Sequence, residues 1–335
     1  MPDLHAHPMT TVATGSATGV TTGSATDAPI GAVPAGDHEH ASHRHHPGDP
    51  RAHAHSGALH GSLSLADRHD HEAQTYDSMA EDLLANWRDA DYVVDPARLP
   101  FANREHVDFL TAAVARLGPL AGRRVLEVGV GGGSLAVWLA LQGAQVVGID
   151  VSAGILQVAE RRAAVNGVAD RVHLVHSPVE NFDPAEHGLA TGGFDAIIGN
   201  NVVHHFDREL ALANLGRLLR PGAVAVFCEP VLFLPEWTRR VRNSAWVTRR
   251  FPMHTHSPDE RSLGTEDITA MRRWFRHVDL TPFQLLCRLQ NFVELSGPAW
   301  RRLESVDRIL LQRIPTTRRL CRFVVVTLAL PTEGV

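Results

Sequence analysis

The sequence predicts a doubly wound α/β fold, a mostly parallel seven-stranded sheet with helices on both faces, and three observations carry that prediction. From residue 124 to residue 229, short apolar runs of strand length alternate with stretches of helical periodicity. Gly143, Gly167 and Gly222 stand where helices should stop, as expected of left-handed caps. The first apolar run, Val125-Leu126-Glu127-Val128, breaks into Gly129-Val130-Gly131-Gly132-Gly133-Ser134, a strand-to-helix turn that needs positive φ and close backbone approach.

The elements follow in order. Residues 1–70 are rich in Ala, Gly, Thr, Ser, Pro and His without apolar periodicity and read as a disordered tail. From His71 to Trp87, the residues Tyr76, Met79, Ala80, Leu83, Leu84 and Trp87 recur at helical spacing. A second helix carries Val107, Leu110, Val114 and Leu117 and ends at Gly118-Pro119. The alternation then gives strand 124–129, helix 134–142, strand 145–150, helix 153–166, strand 171–176, strand 194–200, helix 207–219 and strand 223–229. Residues 231–275 form an insertion with helical pieces near 236–249 and 265–275. A strand near 278–288, a helix near 298–312 and a closing strand at 321–330 complete the chain. The domain organisation is a tail over 1–70 and one domain over 71–335, with 231–275 inserted before the last two strands.

Composition bounds what this chain does. It has 335 residues, 32 basic and 37 acidic side chains and 21 histidines, and every basic residue is arginine. Residues 231–335 hold 17 arginines against 10 acidic residues, yet no aromatic-basic repeat accompanies them, so nucleic acid is not expected as a partner. Twelve histidines precede residue 73, a tract able to chelate metal but lacking the spacing and cysteine partners of a structural zinc site. Cys228, Cys287 and Cys321 are odd in number and far apart, which argues for a reducing compartment. With no secretory signal in the first thirty residues and no apolar stretch beyond strand length, a cytoplasmic location without integral membrane association is expected. The oligomeric state is not legible.

The chemistry concentrates at strand ends. Asp150, at the end of the second strand run Val146-Val147-Gly148-Ile149-Asp150, can accept from both hydroxyls of a ribose, each charge-assisted bond contributing roughly 1.5–3 kcal/mol. The helix opening at Ser134 aims free N–H groups at the same place. Gly131, Gly133 and Ala136 fit the G-x-G-x-x-A form of a dinucleotide site, whereas Glu127, Gly129, Gly131 and Gly133 fit the E-x-G-x-G-x-G form of an S-adenosylmethionine site. A nicotinamide-dependent oxidoreductase, or a non-catalytic scaffold that only binds the cofactor, therefore stands as the alternative.

Four segments in order carry a resemblance that the glycines alone do not: Val125–Ala136, Gly148–Ser152, Phe194–Phe206 with its Asn200-Asn201-Val202-Val203-His204-His205, and Leu218-Leu219-Arg220-Pro221-Gly222-Ala223. Over about residues 72–230 and the last strand, the chain resembles the class I S-adenosylmethionine-dependent methyltransferases, particularly the group of ubiquinone and menaquinone biosynthesis enzymes. The resemblance implies a Rossmann-like methyltransferase sheet with one antiparallel strand, an N-terminal cap helix, S-adenosylmethionine as cofactor, and methyl transfer to a small-molecule acceptor. That acceptor is expected to offer oxygen and to be a secondary metabolite or a quinone-like or lipid-like compound. The expected cofactor-binding residues are Glu127, Gly129, Gly131, Gly133, Asp150, Val151, Val179, Glu180, Asn200 and, from the cap helix, Tyr76.

One stretch departs from the family. Where many relatives carry an aspartate for the adenine amino group, Ser177-Pro178-Val179-Glu180 offers only Ser177 or Glu180 as side chains and the N–H of Val179. For catalysis, His204 and His205 follow an apolar strand at the edge where ligands of such folds react, and an imidazole can serve as general base near neutral pH. Glu229, at the end of the fifth strand, can orient a histidine or a substrate hydroxyl. Asn201, His204 and His205 would make poor ligands for a hard cation, and no metal is expected. His254 and His256, inside the insertion, read as loop histidines.

Overall fold

The computed structural model describes residues 64–100, 104–231, 262–287 and 297–331. The histidine-rich stretch before residue 64, the helical piece expected near 236–249, and His254 and His256 lie outside the described residues.

Seven strands form one sheet: β1 (Arg124–Val128), β2 (Gln145–Asp150), β3 (Val172–His176), β4 (Phe194–Asn200), β5 (Leu219–Pro230), β6 (Phe275–Phe283) and β7 (Phe323–Pro331), in the order β3-β2-β1-β4-β5-β7-β6. The first five are parallel, and β7 runs antiparallel between β5 and β6. Order reverses between β1 and β4, so a crevice opens there at the carboxyl ends of the strands. Val125, Leu126 and Val128 of β1 and Ala196, Ile197 and Ile198 of β4 are buried, as befits strands covered on both faces.

The helices α2 (Arg104–Leu117), α3 (Ser134–Leu141), α4 (Ala153–Val165), α5 (Arg208–Leu218), α6 (Thr265–Trp274) and α7 (Gly297–Arg313) cover the sheet, and α1 (Leu65–Asn86) packs on α4 through Ala80, Ile155 and Val158, joined by Tyr92 from the 3₁₀ turn that follows α1. Six residues expected in the tail are helical. Ser64 caps α1, its Oγ accepting from Asp67 N at 3.1 Å while Asp67 Oδ2 accepts from Ser64 N at 3.1 Å. Aspartate in place of the usual glutamate of that box hides the start of the helix inside a charged, histidine-rich run.

Two further boundaries moved for identifiable reasons. Gly143 and Gly167 follow helices with φ of 94° and 67°, but Gly222 (φ 80°) does not end α5. That helix stops at Leu218, Leu219 already pairs with Phe194, and Gly222 falls within the irregular stretch before Val224 rejoins the ladder opposite Ala196. The sixth strand runs over 275–283 rather than 278–288 because Gln284 has φ 60° and breaks it, after which Asp307 of α7 accepts from the N–H groups of Leu285 and Leu286 at 2.9 and 2.7 Å.

Candidate functional site

The glycine turn is built against the neighbouring strand. Gly129 N and Val130 N donate to Ile149 O at 2.9 and 3.1 Å, and Gly131 N donates to Asp150 Oδ2 at 2.9 Å. Asp150 Oδ1 accepts from Ser152 N at 3.0 Å, so this carboxylate ties the turn to the start of α4. The three glycines do different work. A Cβ on Gly129 would lie 2.2 Å from Val202 Cγ1, and one on Gly133 would lie 2.9 Å from Ala159 Cα. At Gly131 (φ 50°) a Cβ meets nothing within 4 Å, because that residue faces the open crevice.

Three acceptor atoms near the crevice are buried without a hydrogen-bond donor: Glu127 Oε2, Asn200 Oδ1 and Asn201 Oδ1. Glu127 sits inside β1, and burial first, then the charge of Asp150, pushes its pKa well above the usual carboxylate value. Asn201 adopts φ 56° directly after β4, with its N–H donating to Cys228 O at 2.9 Å. Asparagine tolerates that left-handed conformation better than most residues.

Beyond Asn201 the chain makes a single 3₁₀ turn, Val203–His205, held by Glu229. Glu229 is fully buried. Its Oε1 accepts from Val202 N at 2.8 Å and Val203 N at 2.9 Å, and its Oε2 lies 2.8 Å from His204 Nδ1, whose side chain is 5% exposed. The imidazoles of His204 and His205 lie against each other, centroids 4.1 Å apart and tilted by 40°. His205 Nδ1 lies 3.4 Å from Glu72 Oε2 on α1.

The expected cap helix reaches the crevice, and residues besides the expected Tyr76 line it there. Tyr76 is a partly buried member of the apolar cluster between α1 and α4. A cleft beside Asp150 is instead lined by Ala73 and Asp77 of α1 together with Val151, His176 and Pro178. Asp77 Oδ1 accepts from Ser152 Oγ at 2.6 Å and Gly154 N at 2.8 Å, which fastens α1 to the start of α4. After β3, Glu180 is committed to protein contacts, with Oε1 accepting from Asp207 N at 2.7 Å and Oε2 lying 3.6 Å from His69 Nε2. Val179 is buried, and Asn214 of α5 donates to its carbonyl at 2.8 Å. Glu72 and Asp77 went unnoticed in the sequence, although Glu72, Tyr76 and Ala80 recur every four residues and so share one helix stripe.

Comparison with known proteins agrees with this arrangement. Residues 126–227 match the family model described as "Methyltransferase domain". The ubiquinone biosynthesis O-methyltransferase of Alkalilimnicola ehrlichii is 30% identical over 63% of this chain and 78% of that protein. The enzyme of the same name from Pasteurella multocida is 33% identical over 54% of this chain and 74% of that protein. The crystal structure of the cyclase SpnF superposes with a TM-score of 0.50 at 18% identity, over 79% of this chain and 97% of that one, a likeness of fold alone. The chain belongs to the class I S-adenosylmethionine-dependent methyltransferases. It is a methyltransferase whose cofactor is S-adenosylmethionine, which sets the nicotinamide reading aside. Among the described residues, no helix is long and apolar enough to cross a membrane.

The residues present fit that cofactor. Its amino-acid portion carries an ammonium, and the buried acceptors of Glu127, Asn200 and Asn201 have no donor of their own. Asp150 at the end of β2 could accept from ribose hydroxyls, and the open space at Gly131 leaves room for a ligand to approach the turn. Val151, His176 and Pro178 line the cleft beside Asp150, which could take a flat base.

Proposed function

We propose that this enzyme methylates an oxygen of a small acceptor, a secondary metabolite or a quinone-like or lipid-like compound, with His204 as general base. The observation that carries the reading is the buried Glu229–His204 contact at 2.8 Å, set at the carboxyl ends of β4 and β5 beside the glycine crevice. With Glu229 ionised, Nδ1 of His204 carries the proton and Nε2 is the basic nitrogen. The cofactor supplies an electrophilic methyl on a sulfonium that leaves as a neutral thioether. As the acceptor's oxygen attacks, its O–H bond breaks, the proton passes to His204, and Glu229 balances the imidazolium. The two backbone N–H groups on Oε1 keep that carboxylate in place. Glu127, the three glycines, Asp150, Val151 and Asn200 hold the cofactor in this reading. Tyr76 supports the cap helix, and Glu180 and Val179 shape the loop over the base.

The quinone-like acceptor draws support from the names of the relatives, and oxygen draws support from a base poised to take a hydroxyl proton. We assign the catalytic domain to residues 65–335, starting at the Ser64 cap, with 231–275 contributing to the acceptor pocket and nucleic acid playing no part. The three cysteines are buried thiols rather than disulfides, which supports a reducing, cytoplasmic setting.

The test is mass spectrometry of source-cell extract incubated with the protein and methyl-deuterated cofactor, which identifies acceptor and atom together. His204→Gln should lower labelled transfer about 10²–10⁴-fold with cofactor affinity unchanged. Full transfer by that variant, or label arriving on carbon with no hydroxyl consumed, would overturn the reading.

A further inference from the structure

We propose that Glu72 of α1 is a positioning residue for methyl transfer: its carboxylate holds His205 against His204, so the base is complete only with the cap helix in place. The inference rests on His204 as the base. Glu72 Oε2 lies 3.4 Å from His205 Nδ1, with the two side chains 21% and 22% exposed. The tilted rings lie 4.1 Å apart, and the far ring meets Glu229 at 2.8 Å. The result is a row, Glu229–His204–His205–Glu72, with a carboxylate at each end and two closely spaced, tilted imidazoles between.

Charge explains why the outer carboxylate matters. When His204 takes up a proton, the positive charge arises about 4 Å from the centre of the His205 ring, and a neighbouring anion keeps that second ring oriented and offsets the charge. Glu229 serves His204 directly, whereas Glu72 serves the pair from the other side. The carboxylate reaches there because α1 is held at two further places on the same helix face, His69 against Glu180 at 3.6 Å and Asp77 on Ser152 and Gly154. The groups facing Glu72 are His69 on its own helix, Asp150 at the end of β2, Glu180 after β3, and His204 and His205 after β4. Burial foremost, then Asp150, pushes its pKa up to about 7, while His204 and His69 pull it down. Glu72 therefore exchanges its proton in the range where an imidazole base works.

The experiment uses the full chain with Glu72→Gln, Glu72→Asp, His205→Gln and the Glu72→Gln/His205→Gln double variant. Two readouts are followed from about pH 5 to pH 9: the rate of deuterated-methyl transfer into source-cell extract, and the ring titrations of ¹⁵N-labelled histidines. Because Glu72 ionises only as pH rises through about 7, Glu72→Gln should lower the rate about tenfold above that pH, leave the rate below about pH 6 little changed, and move the His205 titration to lower pH, since removing an anion lowers a neighbouring imidazole's pKa. Glu72→Asp should recover most of the rate, and the double variant should lose no more than His205→Gln alone. An unchanged rate above pH 7 together with an unchanged His205 titration in Glu72→Gln, or strictly multiplicative losses in the double variant, would overturn the proposal. If Glu72→Gln fails to fold, His205→Gln carries the test, and a transfer rate and a His204 titration equal to the parent's overturn it. Loss of transfer in His204→Gln with none in Glu72→Gln sinks this inference alone, whereas full transfer in His204→Gln sinks the base assignment beneath it.

Discussion

At the scale of single residues, the glycine turn separates positions that serve the protein from one that serves the ligand. A Cβ at Gly133 would press on the backbone of α4, 2.9 Å from Ala159 Cα, at a φ of 79° that disfavours any side chain. A Cβ at Gly131 enters open space. Gly133→Ala should therefore lose several kcal/mol of stability or fail to fold, since neither backbone can yield cheaply. Gly131→Ala should lose only about 1–2 kcal/mol for its left-handed conformation yet bind S-adenosylmethionine at least tenfold more weakly. Chemical denaturation and calorimetry on the two variants check this, and equal stability losses would contradict it. The sequence marked all three glycines alike. Which of them touches protein depends on the position of α4 and of Val202, and neither is encoded within the motif.

At the scale of elements, α1 is a helix whose docking depends on one close approach. Gly154 in the first turn of α4 leaves room for Asp77, and a Cβ there would stand 2.8 Å from Asp77 Oδ1 and 3.2 Å from Asp77 Cα. Gly154→Ala suits α4 itself, because alanine is the better helix former by about 1 kcal/mol. It should nonetheless push α1 outward: faster hydrogen exchange across residues 65–86, unchanged protection in β1 and β4, and several-fold weaker cofactor binding. Equal exchange in α1 would show that the helix does not depend on this contact. The central strands and helices were legible to within a few residues because each has its own apolar period and its own stop signal. The ends of α1, β5 and β6 were not, for they are set by the Ser64–Asp67 cap, by an irregular ladder at Gly222 and by Asp307 capturing the chain after Gln284.

For the whole molecule, the crevice makes stability and binding depend on pH. Glu127, Asp150 and Glu72 all keep their protons to higher pH in the folded chain, with burial the largest cause for each, from ordinary values of 4.5, 3.8 and 4.5. Unfolding lets them ionise at those lower values, so their contribution to ligand-free stability is full below about pH 4 and is lost as pH rises; for Glu72 the loss is complete near pH 7. A cationic cofactor favours the ionised forms. Its binding should release protons and strengthen as pH rises through the same window, with Glu127→Gln releasing fewer. Calorimetry in buffers of different ionisation enthalpy measures this, and proton uptake on binding would contradict it. At a hundredfold excess over its dissociation constant, S-adenosylmethionine should add about 2.7 kcal/mol and raise the melting temperature by roughly 5–11 °C.

The order of strands and helices, the glycine turn, Asp150 at its strand end and the paired histidines after β4 were determined by the sequence itself, because period, turn chemistry and local motif are properties of neighbouring residues. Folding alone decided that Glu229 meets His204, that Glu72 lies beside His205, and that Glu180 turns to Asp207 N and His69. Each of those contacts joins residues 25 or more positions apart. A hydrogen bond or ion pair of that span depends on how the strands lie side by side and where α1 docks, and no local pattern in the chain records either.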